Sequence, residues 1–167
     1  DGYPIFAQQA RLTPVTVPLD EHGHHDLDAM AEAAGQARVV VVCRPHNPTG
    51  TVEPAADIDL FLQRVPSDTV VLLDEAYVEF LAPEHRLDAL SLVERYPNLV
   101  VLRTFSKAYG LAGLRIGYGF CAPDLARRLW MMQLPFGIGI TGLVAVAASY
   151  EAEGQLQQRI RMIASER

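Results

Sequence analysis

A lysine stands just beyond an apolar run that has the character of a buried strand. Lys107 follows residues 99–102, and hydroxyl side chains flank it at Thr104 and Ser106. Burying an ammonium group without a partner is costly, so a lysine in this setting is unusual. The useful exceptions are lysines whose amine is kept neutral, because a neutral amine can form a Schiff base with a carbonyl group. A surface lysine in a turn is the other interpretation that this residue alone leaves open.

A carboxylate follows a second apolar run in the same way. Asp74 comes directly after residues 69–73. A carboxylate in that position needs a cationic partner or a proton, unless it caps the following turn. One such partner is the protonated nitrogen of a pyridine ring. An aspartate on a pyridinium and a lysine on an aldehyde carbon are together the protein side of pyridoxal phosphate chemistry.

A repeated pattern of strands and helices positions these residues. Continuous apolar, β-branched runs are typical of parallel strands buried on both faces, and each is followed by an amphipathic segment. We predict strands at 14–18 (an edge strand), 39–43, 69–73, 99–102 and 116–121. We predict helices at 27–34, around 58–65, around 87–93, from 123 to about 132, up to 152, and from 155 onward. The alternation indicates βαβ units around a parallel sheet.

Polar side chains follow each of the three buried strands. Asn47 comes after the first strand, Asp74 and Tyr77 after the second, and Ser106 and Lys107 after the third. In an open α/β sheet, ligands bind beyond the carboxyl ends of the strands. Because the three strands point the same way, we expect these side chains to meet at one site.

Composition limits the classes of function. The chain has 167 residues, half of them hydrophobic, and a net charge of -6, which suits one domain with a substantial core. No basic cluster is present to bind nucleic acid, and no apolar run reaches the roughly 18 residues that would span a membrane. Cys43 and Cys121 are expected to be reduced core residues of a cytoplasmic protein. The histidines of residues 21–25 lack ligand spacing, so no metal site is predicted.

Three motifs occur in a fixed order along the chain. They are RPHNPTG at 44–50, LLDEAYVEF at 72–80 and RTFSKAYGLAGLRIGY at 103–118. With them the chain resembles the fold-type I, class I/II aminotransferases that depend on pyridoxal phosphate, and most closely the histidinol-phosphate aminotransferase branch. The likeness runs from about Tyr3 to the end of the chain. It implies an α/β fold with a three-layer, mixed and mainly parallel sheet that carries helices on both faces.

The resemblance implies roles for the residues around the cofactor ring. Lys107 would be the Schiff-base lysine and the base that moves a proton between the substrate's alpha carbon and the cofactor. Asp74 would pair with the pyridine nitrogen and keep it protonated. Asn47 and Tyr77 would donate hydrogen bonds to the cofactor's phenolic oxygen.

The resemblance also implies which residues hold the rest of the cofactor. Ser106 and Arg115 would bind the phosphate, with Thr104 as a weaker candidate, because guanidinium and phosphate can pair through two hydrogen bonds. The ring of Tyr3 would stack on the cofactor. His46 stands where relatives often have asparagine, and either lines the pocket or packs beside it.

Several family features are expected outside this stretch of sequence. A glycine-containing phosphate loop and a tyrosine from the dimer partner are expected before Asp1, and an arginine for the substrate carboxylate beyond Arg167. We interpret residues 1–150 as the large cofactor-binding domain, incomplete at its N-terminus. Residues 151–167 are interpreted as the start of the connection to a C-terminal small domain. The whole protein is expected to be a homodimer, and this piece alone to have weak activity or none.

The resemblance implies an amino-group transfer in amino-acid biosynthesis, such as histidine biosynthesis. Histidinol phosphate or an aromatic amino acid would be the donor, and a 2-oxo acid the acceptor. Two alternatives stay open: a pyridoxal-phosphate-dependent decarboxylase of a phosphorylated amino acid, and the non-catalytic, aminotransferase-like effector domain of a regulator. A nicotinamide-binding sheet is disfavoured, since no G-x-G-x-x-G motif follows the first strand.

Overall fold

The fold is built on a four-stranded sheet with the strand order β1-β2-β3-β4. We describe residues 2–166 of the chain from a computed structural model. Strands β1 (Val39–Cys43), β2 (Val70–Asp74) and β3 (Leu99–Thr104) run parallel, and β4 (Gly117–Cys121) pairs antiparallel with β3. The predicted mixed, mainly parallel α/β sheet is confirmed.

Helices precede, connect and follow these strands. They are α1 (Gly2–Gln9), α2 (Leu27–Ala34), α3 (Ala55–Arg64), α4 (Ala89–Arg95), α5 (Pro123–Met131), α6 (Ile140–Glu151) and α7 (Glu153–Ser165). Short 3₁₀ turns lie at Val78–Phe80, Pro83–His85 and Ala112–Leu114. The N-cap of α2 is Asp26, whose carboxylate accepts a hydrogen bond of 2.9 Å from the backbone N–H of Ala29.

The main core lies on one face of the sheet. Alternate strand residues point to that face, and the register sets them in two rows across β1, β2 and β3. The rows are Val40, Val71 and Leu99, and then Val42, Leu73 and Val101. Helices α2, α3 and α4 cover them with buried apolar side chains. Right-handed crossovers between successive parallel strands place the connecting helices on the same side, which explains this arrangement.

Further apolar side chains are buried outside the main core, and they are Val78, Val100, Phe105, Ala108, Ile116 and Leu156. The ring of Phe105 lies 4.9 Å from that of Tyr109 and 5.7 Å from that of Tyr150 in α6, centroid to centroid. These contacts hold the segment after β3 against the end of the chain.

One predicted element is wrong, and one observed element was not predicted. Residues 14–18 form no strand, and the nearest β contact is a single bridge between Leu19 and His25. Pro14 and Pro18 have no N–H to donate to a ladder, which explains the failure. Helix α1 was not predicted at all.

The spacing of Leu87, Leu90 and Val93 predicts one apolar helix face, but α4 buries a different one. It begins at Ala89, after the N-cap Asp88, so Leu87 lies outside the helix and Leu90 points to solvent with 69% of its surface exposed. The buried face consists of Ala89, Leu92 and Val93. The predicted spacing failed because the cap sets the helical phase. Along the described part of the chain, no helix has both the length and the apolar character needed to cross a membrane.

Candidate active site

The carboxyl ends of β1, β2 and β3 meet at one edge of the sheet, where a cleft of about 330 Å³ opens. Asp74 and Thr104 are the last residues of their strands, and strand alternation turns both away from the main core. The cleft is lined by Asp74, Ala76, Leu102, Arg103, Thr104, Ser106, Lys107 and Arg115. Five of these, Asp74, Thr104, Ser106, Lys107 and Arg115, are predicted site residues.

Asp74 uses both of its carboxylate oxygens. Its Oδ1 accepts a hydrogen bond of 3.0 Å from the backbone N–H of Ala76, so it caps the turn after β2. Its Oδ2 accepts a bond of 2.6 Å from the hydroxyl of Tyr3. Burial, together with this bond, raises the pKa of Tyr3, so the phenol keeps its proton and is the donor. The contact places the hydroxyl of Tyr3 at the predicted site, and the stacking of its ring on a cofactor remains a prediction.

Lys107 lies exposed at the mouth of the cleft rather than buried. Strand β3 runs on to Thr104, and the following loop carries the lysine out of the sheet. Backbone hydrogen bonds close this loop, from Gly110 N to Lys107 O at 2.9 Å and from Leu111 N to Phe105 O at 2.9 Å. Nζ of Lys107 lies 5.3 Å from the centroid of the Tyr77 ring, within cation–π range.

Asn47 and Tyr77 contact each other at the same corner of the cleft. Nδ2 of Asn47 donates a hydrogen bond of 3.0 Å to the hydroxyl of Tyr77. This bond joins the loop after β1 to the turn after β2. With Lys107 over the Tyr77 ring, the three side chains form one group, although their roles toward a cofactor remain predictions.

The opposite side of the cleft carries hydrogen-bond donors suited to an anion. Thr104 Oγ1 accepts a bond of 3.1 Å from the backbone N–H of Ser106, which sets the Ser106 turn at the strand end. Arg115 has a left-handed backbone with φ of 51°, and its Nη1 donates to the carbonyl oxygen of Ala112 at 2.9 Å. Hydroxyl and guanidinium groups thus line the same cleft, and the binding of a phosphate by them remains a prediction.

His46 packs beside the site instead of lining the cleft. Its ring lies 4.6 Å from that of His25, and its Nδ1 is 2.8 Å from the hydroxyl oxygen of Thr49. Burial, and then the charge of His25, lowers the pKa of His46. Within residues 2–166, no group of three or more His, Cys, Asp or Glu side chains is arranged to hold a metal ion.

An ion pair beneath the cleft was missed by sequence reasoning. Glu75 is fully buried, and its Oε2 accepts a hydrogen bond of 2.9 Å from Nε of Arg103 and lies 2.8 Å from Nη2 of the same guanidinium. Burial raises the pKa of Glu75, while Arg103 acts in the opposite direction. The pair ties the end of β2 to the end of β3. Its signal in the sequence was the phase of both residues, which continues the core rows of Leu73 and Val101.

Comparison with known proteins gives the chain a family. The family model described as aminotransferase class I and II matches residues 1–167. An aromatic amino acid aminotransferase of Cutibacterium acnes is 46% identical over 168 residues, covering 100% of this chain and 48% of that protein. The chain thus spans about half the length of the curated relatives that it matches.

Solved structures agree with the fold. A histidinol-phosphate aminotransferase of Sinorhizobium meliloti, in complex with pyridoxal-5'-phosphate, superposes with a TM-score of 0.92 at 33% identity, over 98% of this chain and 44% of that one. An L-threonine-O-3-phosphate decarboxylase of Porphyromonas gingivalis gives a TM-score of 0.77 at 25% identity, over 96% of this chain and 46% of that one. Since the family model covers the whole sequence, the chain belongs to the aminotransferase class I and II family.

Proposed function

We propose that the full-length protein is a pyridoxal-phosphate-dependent aminotransferase, which moves the amino group of an aromatic amino acid to a 2-oxo acid. The observation that carries the proposal is the meeting of Asp74, Lys107 and Arg115 in one cleft. The name of the 46% identical Cutibacterium relative supports the aromatic donor.

The side chains of the cleft fit this cofactor. The volume of the cleft, about 330 Å³, suits a small ligand. Asp74 offers a carboxylate for a ring nitrogen, Lys107 an amine for the aldehyde, and Ser106 and Arg115 donors for the phosphate. The similar Sinorhizobium structure contains pyridoxal-5'-phosphate. When bound, this group supplies an electron-withdrawing ring that stabilises negative charge at the substrate's alpha carbon.

The residues of the chain divide the remaining work. Lys107 would bind the aldehyde carbon and, once free again, move a proton at the substrate's alpha carbon. Asp74 would hold a proton on the ring nitrogen. Because Oδ1 is engaged by the backbone of Ala76, Oδ2 would serve this role, which requires Tyr3 to share that oxygen or to leave it.

An absorption spectrum of the full-length protein with pyridoxal phosphate tests the cofactor assignment. We expect a visible band that disappears in Lys107→Ala. Borohydride reduction followed by peptide mapping should place the cofactor's mass on Lys107, the only lysine of this chain. A wild-type spectrum without such a band would contradict the proposal.

Product analysis tests the reaction and the donor. We expect an aromatic 2-oxo acid from phenylalanine or tyrosine with 2-oxoglutarate as acceptor. Histidinol phosphate is the second candidate donor, favoured by the TM-score of 0.92 to the Sinorhizobium enzyme. Release of carbon dioxide from O-phosphothreonine would favour the decarboxylase, and cofactor binding without turnover would favour a regulatory effector domain.

We also propose that the full-length protein is a homodimer in the cytoplasm. Five large apolar side chains around the α5–α6 connection are mostly exposed, namely Trp130, Met131, Met132, Leu134 and Phe136. Apolar surface of this kind marks interaction sites.

The free thiols of Cys43 and Cys121 suit a reducing compartment. We retain residues 1–150 as the proposed cofactor-binding portion and residues 151–167 as the start of its connection.

A further inference from the structure

Helix α7 contacts the loop that carries Lys107. Nη1 of Arg159 in α7 donates a hydrogen bond of 3.1 Å to the carbonyl oxygen of Ala108. Ala108 is fully buried, so its carbonyl oxygen needs a hydrogen-bond donor from within the protein. The guanidinium therefore binds the backbone one residue beyond the lysine.

Gly110 makes room for this contact. Its backbone is left-handed with φ of 72°, and its N–H closes the turn onto the carbonyl of Lys107. A Cβ atom added at Gly110 would lie only 2.4 Å from Nη1 of Arg159. The guanidinium thus lies against the turn itself, in space that a side chain at Gly110 would fill.

Packing holds the part of helix α7 that carries Arg159 in place. Leu156, one turn earlier in α7, is buried. In the preceding helix, the ring of Tyr150 packs edge-on against that of Phe105. The lysine loop and the end of the chain are therefore packed together before the Arg159 hydrogen bond is counted.

We propose that Arg159 is a positioning residue for the reaction. It fixes the carbonyl of Ala108 and, through the closed turn from Lys107 to Gly110, the direction in which the lysine amine faces the cleft. The inference rests on the proposed function of Lys107. It also gives the segment after residue 150 a role, which is to hold the loop of residues 105–111 that carries Lys107.

Hydrogen exchange in the full-length protein without cofactor tests the contact. In Arg159→Ala, amides of residues 105–111 should exchange about tenfold faster, since a charge-assisted bond to the turn is lost. Arg159→Lys should recover part of the protection, because an ammonium can also donate to Ala108 O. Arg161→Ala, an exposed change in the same helix, is the matched control and should match the wild type.

Steady-state kinetics with pyridoxal phosphate tests the consequence. In Arg159→Ala, kcat should fall about tenfold while KM for the amino donor changes less than about twofold, as expected when geometry rather than binding is lost. Gly110→Ala should lose at least as much kcat, because a Cβ atom there displaces the guanidinium and also strains the left-handed turn.

Several results would overturn the inference. One is a wild-type rate of exchange in residues 105–111 of Arg159→Ala. Another is faster exchange throughout the protein, which would make Arg159 merely structural. A third is a loss of kcat that Arg161→Ala reproduces. If the wild type lacks the lysine-dependent band, the proposed function fails instead, and the exchange experiment still decides whether Arg159 holds the turn.

Discussion

One carboxylate oxygen of Asp74 caps the turn after β2, and the other would pair with the ring nitrogen of the proposed cofactor. Asparagine at this position keeps an oxygen that can accept from Ala76 N but removes the negative charge. We expect full-length Asp74→Asn to fold and to retain cofactor, with kcat lower by about a hundredfold or more, because the ring nitrogen loses its anionic partner. Turnover and bound cofactor should be measured on the same sample. A variant with wild-type turnover would exclude the proposed role of Asp74.

Arg115 is expected to affect binding more than turnover. Arg115→Ala removes the guanidinium from the cleft, so the Kd for pyridoxal phosphate should rise about ten- to a hundredfold, the effect of losing charge-assisted hydrogen bonds. Arg127→Ala is the control, since Arg127 is exposed in α5 and pairs with Asp124. Titration of the cofactor-free protein gives the Kd of each. Equal values for the two variants would remove Arg115 from the site.

The site residues that sequence could predict are those placed by local pattern. Asp74 and Lys107 follow apolar runs, and parallel strands bring such positions together. The bonds from Tyr3 to Asp74 and from Arg159 to Ala108 join segments 71 and 51 residues apart, and periodicity holds no information about such pairs. The exposure of Lys107 was missed because the end of β3 lies two residues beyond the apolar run.

Helices α3 and α4 are joined by a cluster around Asp59. Its carboxylate accepts hydrogen bonds of 3.0 Å from Tyr96 and from Gln63, and lies 2.8 Å from Nη1 of Arg95. Burial acts to raise the pKa of Asp59, but the bonds from Tyr96 and Gln63 and the charge of Arg95 outweigh it, so the pKa lies below its ordinary value of 3.8. The carboxylate form therefore favours the folded state.

Asp59→Asn should make stability less dependent on pH. A lowered pKa in the folded state contributes stability above the ordinary value, and this contribution is lost as the pH falls through the folded pKa. We expect Asp59→Asn to unfold at lower urea concentration than the wild type at pH 7, with the difference shrinking below about pH 4. Urea titrations across this range measure it. A difference that stays constant with pH would show that charge is not involved.

Element types were easier to predict than their edges. The buried strands were found because continuous β-branched runs suit few other structures. Residues 14–18 alternate like a strand but carry prolines at both ends, and the face of α4 depends on the cap at Asp88. In the first case the prolines lack the N–H that a strand would donate. In the second, the Asp88 side chain accepts a hydrogen bond from the backbone N–H of Ser91 and so sets where α4 begins.

At the scale of the whole molecule, exposed apolar side chains around the α5–α6 connection are the surface to which we assign the proposed dimer contact. In the full-length protein, Met132→Glu should weaken self-association, because Met132 is 83% exposed beside other apolar side chains and a carboxylate buried there would be costly. Leu60→Glu, at an isolated position 58% exposed in α3, is the control. Sedimentation velocity should show monomer for the first and dimer for the second. Dimers in both variants would place the interface elsewhere.

The order of strands across the sheet is also their order along the chain. Each strand can therefore add to the edge left by the preceding one, once the segment that connects the two has been made. On the ribosome, where chains grow at about 5–20 residues per second, β1 to β4 can dock in the sequence in which they emerge. The four-stranded sheet, whose strand ends carry Asp74 and lead to Lys107, would form first. Among the described residues, Arg159 emerges after this sheet, so its hydrogen bond to Ala108 can form only once α7 has been made.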